Sequence, residues 1–262
     1  MSESSPSRPS RLRRLLPLCL AFAASCGSDQ DPGAGAGAPV NPTAQAIAQS
    51  QQLLAQGRAP EALPLLEQAI ARDPRDARLR VNLGLANLQL GRSEQALEVL
   101  AEAERLDPTL LMAPFNRAAA CLELERLEEA IQHADRALAL SPGFAPGHLV
   151  RARALLGLER NEPAREAAEQ ALVFDAMLAP AHEVLGEVAH REGDDAEART
   201  QFIRAAQLAS ADPRPWPGIF RFALATGDQE MAQKALEALE RISPRDPALA
   251  GMRDELERAR NP

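Results

Sequence analysis

The sequence predicts an all-α protein built as a solenoid of stacked helix–turn–helix units. The first observation is a period of 34 residues, marked by an alanine at Ala62, Ala96, Ala130, Ala164, Ala198 and Ala232. The second is the composition, in which 45% of the 262 residues are hydrophobic but only 3% are aromatic. Helices of this composition must pack closely on small side chains. One unit of this length buries too little apolar surface to fold alone, so neighbouring units stack.

The first element along the chain is a predicted signal peptide over residues 1–25. Basic residues precede a short apolar run at 15–24, and these are Arg8, Arg11, Arg13 and Arg14. The run is too short to span a bilayer, which takes roughly 20 residues, and its order of basic, apolar and small residues is typical of secretion. Small residues directly before Cys26 resemble the bacterial lipobox, in which the cysteine is acylated. The alternative is an ordinary cleaved signal in which Cys26 has no role.

Residues 26–42 are predicted to form a lipid-anchor cysteine and a flexible linker. The segment is rich in Gly, Ala and Pro and has no apolar periodicity, which is typical of a tether. Acylation at Cys26 would supply more than the two chains needed for stable anchoring. We therefore expect a protein of the bacterial cell envelope that faces the periplasm, with the outer membrane favoured over the inner. The alternative is a secreted or soluble periplasmic protein.

The repeats occupy residues 43–246 and keep one register. Their bounds are 43–76, 77–110, 111–144, 145–178, 179–212 and 213–246. Numbered from 1 to 34, they carry the recurring alanine at position 20. Position 27 is also small in the first five repeats, at Ala69, Ala103, Ala137, Ala171 and Ala205. Position 15, where the first helix should end, is Gly57, Gly91, Glu125, Glu159, Gly193 and Gly227. Position 32 is proline in four repeats, at Pro74, Pro108, Pro142 and Pro244.

This pattern resembles the tetratricopeptide repeat (TPR), and the resemblance covers residues 43–246. It implies a right-handed α-solenoid of six units. Glycine at position 15 permits the positive φ that ends a first helix, and proline at position 32 cannot continue the second. Residues 247–262 are predicted to form a C-terminal capping helix, because Leu249, Met252 and Leu256 fall on one face between charged residues.

The resemblance also implies a peptide groove. In TPR proteins the concave wall comes mainly from the first helix of each repeat, near positions 2, 5, 9, 12 and 13. The predicted groove residues are Ile47, Val81, Asn82, Leu85, Leu88, Phe115, Asn116, Leu122 and Leu149. An exposed apolar strip would suit an amphipathic helix or an extended apolar segment of a partner. The alternative is that these side chains pack between helices and expose little.

Some TPR proteins grip the terminal carboxylate of a peptide with lysines and asparagines, and that clamp is absent from this sequence. Asn82 and Asn116 stand at position 6, but Ile47, Gln51 and Met112 replace the expected Lys, Asn and Lys. Repeat 5 instead becomes polar on its first helix, with Glu183, Glu187, His190 and Arg191.

No catalytic, metal-binding or cofactor-binding residue is predicted, and the chain is not expected to be an enzyme. His148 and His182 share position 4 and are expected to be packing residues. His182 and His190 are two helical turns apart, but they lack the usual spacing of metal ligands. Cys121 falls at the normally buried position 11 and is expected to act as a small hydrophobic residue. The formal net charge of −8 disfavours nucleic acid as a partner.

We therefore predict a membrane-anchored TPR lipoprotein that binds a peptide or helix of an envelope partner in its concave groove. A lipidated cysteine before six repeats also resembles the pilotin lipoproteins that assist secretin assembly in type IV pilus systems. Two further alternatives are an accessory module of a peptidoglycan enzyme and a soluble TPR adaptor. The sequence does not specify the partner or the oligomeric state.

Overall fold

The computed structural model describes residues 41–208, 212, 213 and 215–260, and every regular element within them is an α-helix. The predicted all-α TPR solenoid is confirmed. The signal peptide, Cys26 and the linker as far as residue 40 lie outside the described residues. Among the described helices, none combines the length and the apolar character needed to cross a bilayer.

The helices form successive pairs, and we call the first helix of each pair the A helix and the second the B helix. The A helices are α1 (Pro42–Ala55), α3 (Ala77–Gln89), α5 (Met112–Glu123), α7 (Ala145–Gly157), α9 (Ala179–Arg191) and α11 (Trp216–Ala225). The B helices are α2 (Ala59–Arg72), α4 (Ser93–Leu106), α6 (Leu127–Leu140), α8 (Asn161–Phe174), α10 (Asp195–Leu208) and α12 (Gln229–Ile242). The last helix, α13 (Ala248–Arg260), follows the sixth pair.

The chain divides after Gly143 into two compact units, with α1 to α6 in the first and α7 to α13 in the second. In the first unit each A helix packs on its own B helix, and α3 and α5 also pack on the preceding B helix. The A helices contact one another as well, α1 with α3 and α3 with α5. The second unit repeats this arrangement in α7 to α10, and α13 packs on α12 and α11.

The turn at position 15 has the same backbone conformation in all six pairs. Gly57, Gly91, Gly193 and Gly227 have φ between 69° and 85°. Glu125 and Glu159 adopt the same left-handed conformation, each with φ of 59°. The amide of the next residue donates back to the A helix, as from Arg92 N to Asn87 O. The prediction of a positive φ here is confirmed, although two repeats adopt it with a residue that resists it.

Small side chains at positions 8 and 20 allow the two helices of a pair to approach closely. All six position-20 alanines are fully buried, with 0% exposure. At position 8, a Cβ on Gly84 would lie 2.4 Å from Leu100 Cγ on the paired B helix. Gly186 stands in the same relation to Phe202, at 3.1 Å. Repeats 2 and 5 therefore need a small residue here because the partner helix places a large side chain against it, whereas repeat 6 has Phe220 at this position.

The final helix covers the apolar end of the second unit. Asp246 precedes α13, and its Oδ1 accepts a hydrogen bond at 2.8 Å from the N–H of Ala248, the first residue of the helix. Leu249, Met252 and Leu256 are buried in one hydrophobic cluster with residues of α11 and α12. The opposite face of α13 is charged and exposed. The helix thus ends the stack with a polar surface, as the capping prediction requires.

Candidate functional site

The residues predicted to line a peptide groove are buried. Each is at most 9% exposed: Ile47, Val81, Asn82, Leu85, Leu88, Phe115, Asn116, Leu122 and Leu149. The prediction that these side chains form an exposed apolar strip is therefore wrong, and packing between helices is what the structure shows.

The burial follows from the number of neighbours of an A helix. In the first unit, α3 is surrounded by α1, α2, α4 and α5. Within α3, which is described throughout, Arg78 alone is exposed. Positions 5, 9 and 12 of this helix, Val81, Leu85 and Leu88, consequently face other helices rather than solvent. Side chains at these positions contribute to stacking and are not free to contact a partner.

The two asparagines at position 6 are also inside the fold. Asn82 Nδ2 donates to Ser50 Oγ at 2.9 Å, which joins α3 to α1. In the next repeat the residue equivalent to Ser50 is Gly84, which has no hydroxyl group. The Nδ2 and Oδ1 atoms of Asn116 accordingly have no hydrogen-bond partner among the described residues. Neither asparagine presents its amide to an outside ligand.

Polar side chains of the A helices form a charged group in the second unit, in which Glu187 and Arg191 are more exposed than Glu183 and Arg153. We call Arg153 of α7 and Glu183, Glu187 and Arg191 of α9 the charged A-helix surface. Arg153 Nη2 lies 3.7 Å from Glu183 Oε2. Arg191 Nε donates to Glu187 Oε1 at 3.2 Å, and its Nη1 donates to Leu156 O at 2.7 Å. The first and third of these contacts join α7 to α9, and the second lies within α9, so charges of both signs lie over two neighbouring helices.

The sequence indicated only part of this surface. The sequence shows Glu183, Glu187 and Arg191 as polar residues on the first helix of repeat 5. Arg153 occupies position 9 of repeat 4, the position that Glu187 occupies in repeat 5. It was not among the residues predicted from the sequence, which in repeat 4 were apolar. Its place in the register is the signal that could have identified it.

The histidines in the described chain have structural contacts. The ring of His148 stacks on Phe174, with centroids 5.5 Å apart. His182 Nδ1 donates to Gln201 Oε1 at 2.7 Å, and His190 Nδ1 lies 2.7 Å from Asp195 Oδ1. The rings of His182 and His190 thus face different partners. Among the described residues, no group of three or more His, Cys, Asp and Glu side chains could hold a metal ion.

Two buried groups have strongly shifted pKa values. Burial lowers the pKa of His133 to about 4, and the nearby guanidinium groups of Arg117 and Arg136 act in the same direction. Burial likewise raises the pKa of the Cys121 thiol to about 11. At neutral pH Cys121 is therefore a thiol rather than the nucleophilic thiolate, and His133 is an uncharged imidazole of low basicity.

Comparisons with known proteins agree with this architecture. The family model described as tetratricopeptide repeat matches residues 47–110 and 149–214. A TPR protein of Thermus thermophilus, TTC0263, is 26% identical in sequence, with 70% of this chain and 98% of that chain covered and a TM-score of 0.59. No curated protein matches the sequence.

Two other solved structures share the fold over a longer part of the chain. PilF of Pseudomonas aeruginosa is 20% identical, with 82% of this chain and 97% of that chain covered and a TM-score of 0.64. PilW, a type IV pilus biogenesis factor, is 18% identical, with 80% and 97% covered and a TM-score of 0.67. At these identities the likeness concerns the fold alone. The 34-residue register, the helix pairs and the family match together establish that the chain belongs to the tetratricopeptide repeat family.

Proposed function

We propose that this chain is a non-enzymatic scaffold that binds a peptide or helix of another cell-envelope protein on its A helices. TPR proteins in general are protein–protein interaction modules, and this chain shares their repeat and fold. The charged A-helix surface is the observation that carries the proposal. Glu187 and Arg191 are about a third exposed in a layer where the apolar positions serve packing. Arg191 can pair with an acidic group of a partner, and Glu187 with a basic one.

Site-specific photocrosslinking tests this location. A photoreactive amino acid at Glu187 should crosslink an envelope protein, because this position is partly accessible on α9. The matched control is Glu169, an exposed residue of the B helix α8. Adducts at Glu187 but not at Glu169 support the proposal, and Glu187→Lys in the untagged protein should compete poorly for the same partner. Equal adducts at both positions, or adducts only at Glu169, would assign binding to another surface.

We also propose that Cys26 is acylated after removal of residues 1–25, and that residues 26–42 tether the repeats to a membrane. The support is the small residues before Cys26 and the Gly-, Ala- and Pro-rich segment that follows. Labelled palmitate should be incorporated into the wild-type chain, with globomycin-sensitive processing, and not into Cys26→Ser. Absence of label from the wild type would favour a soluble adaptor.

A type IV pilus assembly factor, similar in role to the pilotins, is the second candidate. It is favoured by the coverage of about four fifths of this chain by PilF and PilW, of which PilW is a type IV pilus biogenesis factor. Deletion of the gene should then abolish heat-stable secretin multimers in the envelope. Normal multimers in the deletion strain would exclude this role and leave an accessory module of a peptidoglycan enzyme as the other envelope candidate.

A further inference from the structure

An apolar cleft in the second unit lies away from the charged A-helix surface. It has a volume of about 430 Å³ and lies between the B helices α10 and α12 and the A helix α11. Its walls include Phe202, Ile203, Trp216, Met231 and Ala235. Ile203 is 41% exposed, so this wall reaches the protein surface. Volume and lining are those of a small-molecule site.

The repeat register shows that, among the described residues, a hydrogen-bond acceptor present in repeat 5 has no counterpart in this cleft. In repeat 5, His182 at position 4 donates to Gln201 at position 23 on the paired B helix. In repeat 6 the same positions hold Trp216 and Ala235. Trp216 Nε1 is buried and has no hydrogen-bond partner among the described residues. A buried N–H group normally has an acceptor, and alanine cannot supply one.

The register also shows why this cleft is open at the junction of repeats 5 and 6. Where repeats 2 and 3 meet, Glu104 at position 28 forms ion pairs with Arg117 and Arg136, at positions 7 and 26. The Arg117 Nη1–Glu104 Oε2 distance is 2.5 Å, and the Arg136 Nη1–Glu104 Oε1 distance is 3.2 Å. Where repeats 5 and 6 meet, positions 28 and 26 are Ala206 and Ala238, and both line the cleft. Alanines thus replace the glutamate and one arginine that fill the equivalent space.

We propose that the cleft binds a small aliphatic carboxylate. The apolar walls suit a hydrocarbon chain, and a carboxylate oxygen would accept the Trp216 N–H bond that Gln201 accepts from His182 in the repeat before. Lys234, Glu237 and Arg241 also line the cleft, and Lys234 Nζ pairs with Glu230 Oε1 at 2.5 Å. The guanidinium of Arg241 can pair with a carboxylate, which favours an acid over a neutral ligand of the same chain length. The site is independent of the proposed partner-binding surface.

Trp216 is the only tryptophan of the chain, so its fluorescence reports directly on the cleft. Titration with decanoate below its micelle concentration should change the emission with a saturable curve. Decanol and decyltrimethylammonium, which keep the chain but not the carboxylate, should bind at least tenfold more weakly. Absence of a saturable change with decanoate, or an equal response to all three, would overturn the proposal.

Ala235→Gln restores the acceptor and fills the space, as Gln201 does one repeat earlier. We expect it to weaken decanoate binding at least tenfold while the melting temperature stays the same or rises. Gln201→Ala, whose side chain is outside the cleft lining, is the matched control and should bind decanoate like the wild type. A folded Ala235→Gln that binds decanoate normally would show that the cleft is not the site.

Ile203→Asp provides a second variant in case Ala235→Gln does not fold. Ile203 is partly exposed, so a carboxylate there should be tolerated by the fold. Its negative charge should repel decanoate and weaken binding at least tenfold, without weakening decyltrimethylammonium. Unchanged decanoate affinity in Ile203→Asp would contradict the proposed location.

Discussion

Single residues at position 15 carry backbone strain that varies between repeats. A left-handed conformation costs an L-residue roughly 1–2 kcal/mol. Glycine avoids this cost, but it raises the conformational entropy of the unfolded chain, which offsets part of the gain in stability. We expect Glu125→Gly and Glu159→Gly to raise the free energy of unfolding by a few tenths to about 1 kcal/mol each. Urea denaturation measures it.

The matched control for these variants is Gly91→Ala. Nothing lies within 4 Å of a Cβ at Gly91, so its φ of 69° is the sole source of cost. This variant should lose roughly 1–2 kcal/mol. If glycine destabilises positions 125 and 159, the conformation there is not strained.

Position 8 is limited by contact rather than by φ. A Cβ on Gly84 would overlap Leu100 Cγ, so Gly84→Ala should destabilise the protein by roughly 1–3 kcal/mol through overpacking. Gly251→Ala is the control, because nothing lies within 4 Å of its Cβ on the exposed side of α13. The melting temperature of Gly84→Ala should fall clearly below that of the wild type, whereas that of Gly251→Ala should rise or change little. Equal melting temperatures would contradict the close approach of α3 and α4.

His133 gives the protein a defined pH dependence. Its pKa is lowered to about 4 in the folded chain, whereas an unperturbed histidine titrates near 6.5. Between these values the unfolded chain binds a proton that the folded chain does not. Stability attributable to this residue therefore falls as the pH decreases from about 6.5 to 4.

His133→Leu isolates this contribution from that of the carboxylates. The variant should lose less unfolding free energy than the wild type between pH 7 and pH 4.5, by an amount on the order of 2 kcal/mol. Urea titrations at a series of pH values measure it. Parallel pH profiles for the two proteins would mean that His133 keeps its ordinary pKa in the fold.

At the scale of helices, the A and B helices have different roles in packing. A helices such as α3 and α5 bury almost every side chain, whereas the B helices have one buried and one exposed face. A charge introduced at a buried position of an A helix therefore destabilises the fold, and a loss of partner binding in such a variant does not identify a contact residue. A Phe115→Glu variant made to test groove binding would have this flaw, because Phe115 is 0% exposed.

We expect Phe115→Glu to destabilise the protein by more than roughly 4 kcal/mol, since it buries an unpaired carboxylate. The control is Phe174→Glu on the B helix α8, where the native side chain is 49% exposed and the cost should be about 1 kcal/mol. Circular dichroism melting curves distinguish the two. A stable Phe115→Glu would indicate that α5 is more accessible than its burial implies.

At the scale of the molecule, stability accumulates between neighbouring helix pairs, so the end of the stack needs a cover. Removal of residues 248–260 would uncover the hydrophobic cluster that includes Leu236 and Leu239. We expect a lower melting temperature and concentration-dependent light scattering. Asp254→Ala, on the exposed face of α13, should change neither. A truncated protein that melts and scatters like the full chain would mean that α13 is dispensable.

Much of the fold could be predicted because the repeat imposes one register on every unit. Positions 15 and 20 could be assigned from spacing alone, since chain geometry and close packing restrict them locally. The candidate site could not be predicted in the same way. Val81, Leu88 and Phe115 occupy positions that face a groove in other TPR proteins, but their exposure depends on how closely neighbouring A helices approach. That distance is set by many side chains together.

The sequence by itself determined the all-α repeat architecture, the turn positions and the need for small residues between paired helices. These follow from steric limits that act within one unit and recur every 34 residues. Only the tertiary structure decided which side chains remain accessible. It leaves Glu187 and Arg191 of α9 partly exposed and buries the apolar positions of the A helices. It also revealed that Trp216 lacks the acceptor that His182 has, because hydrogen bonding depends on a partner residue from another helix.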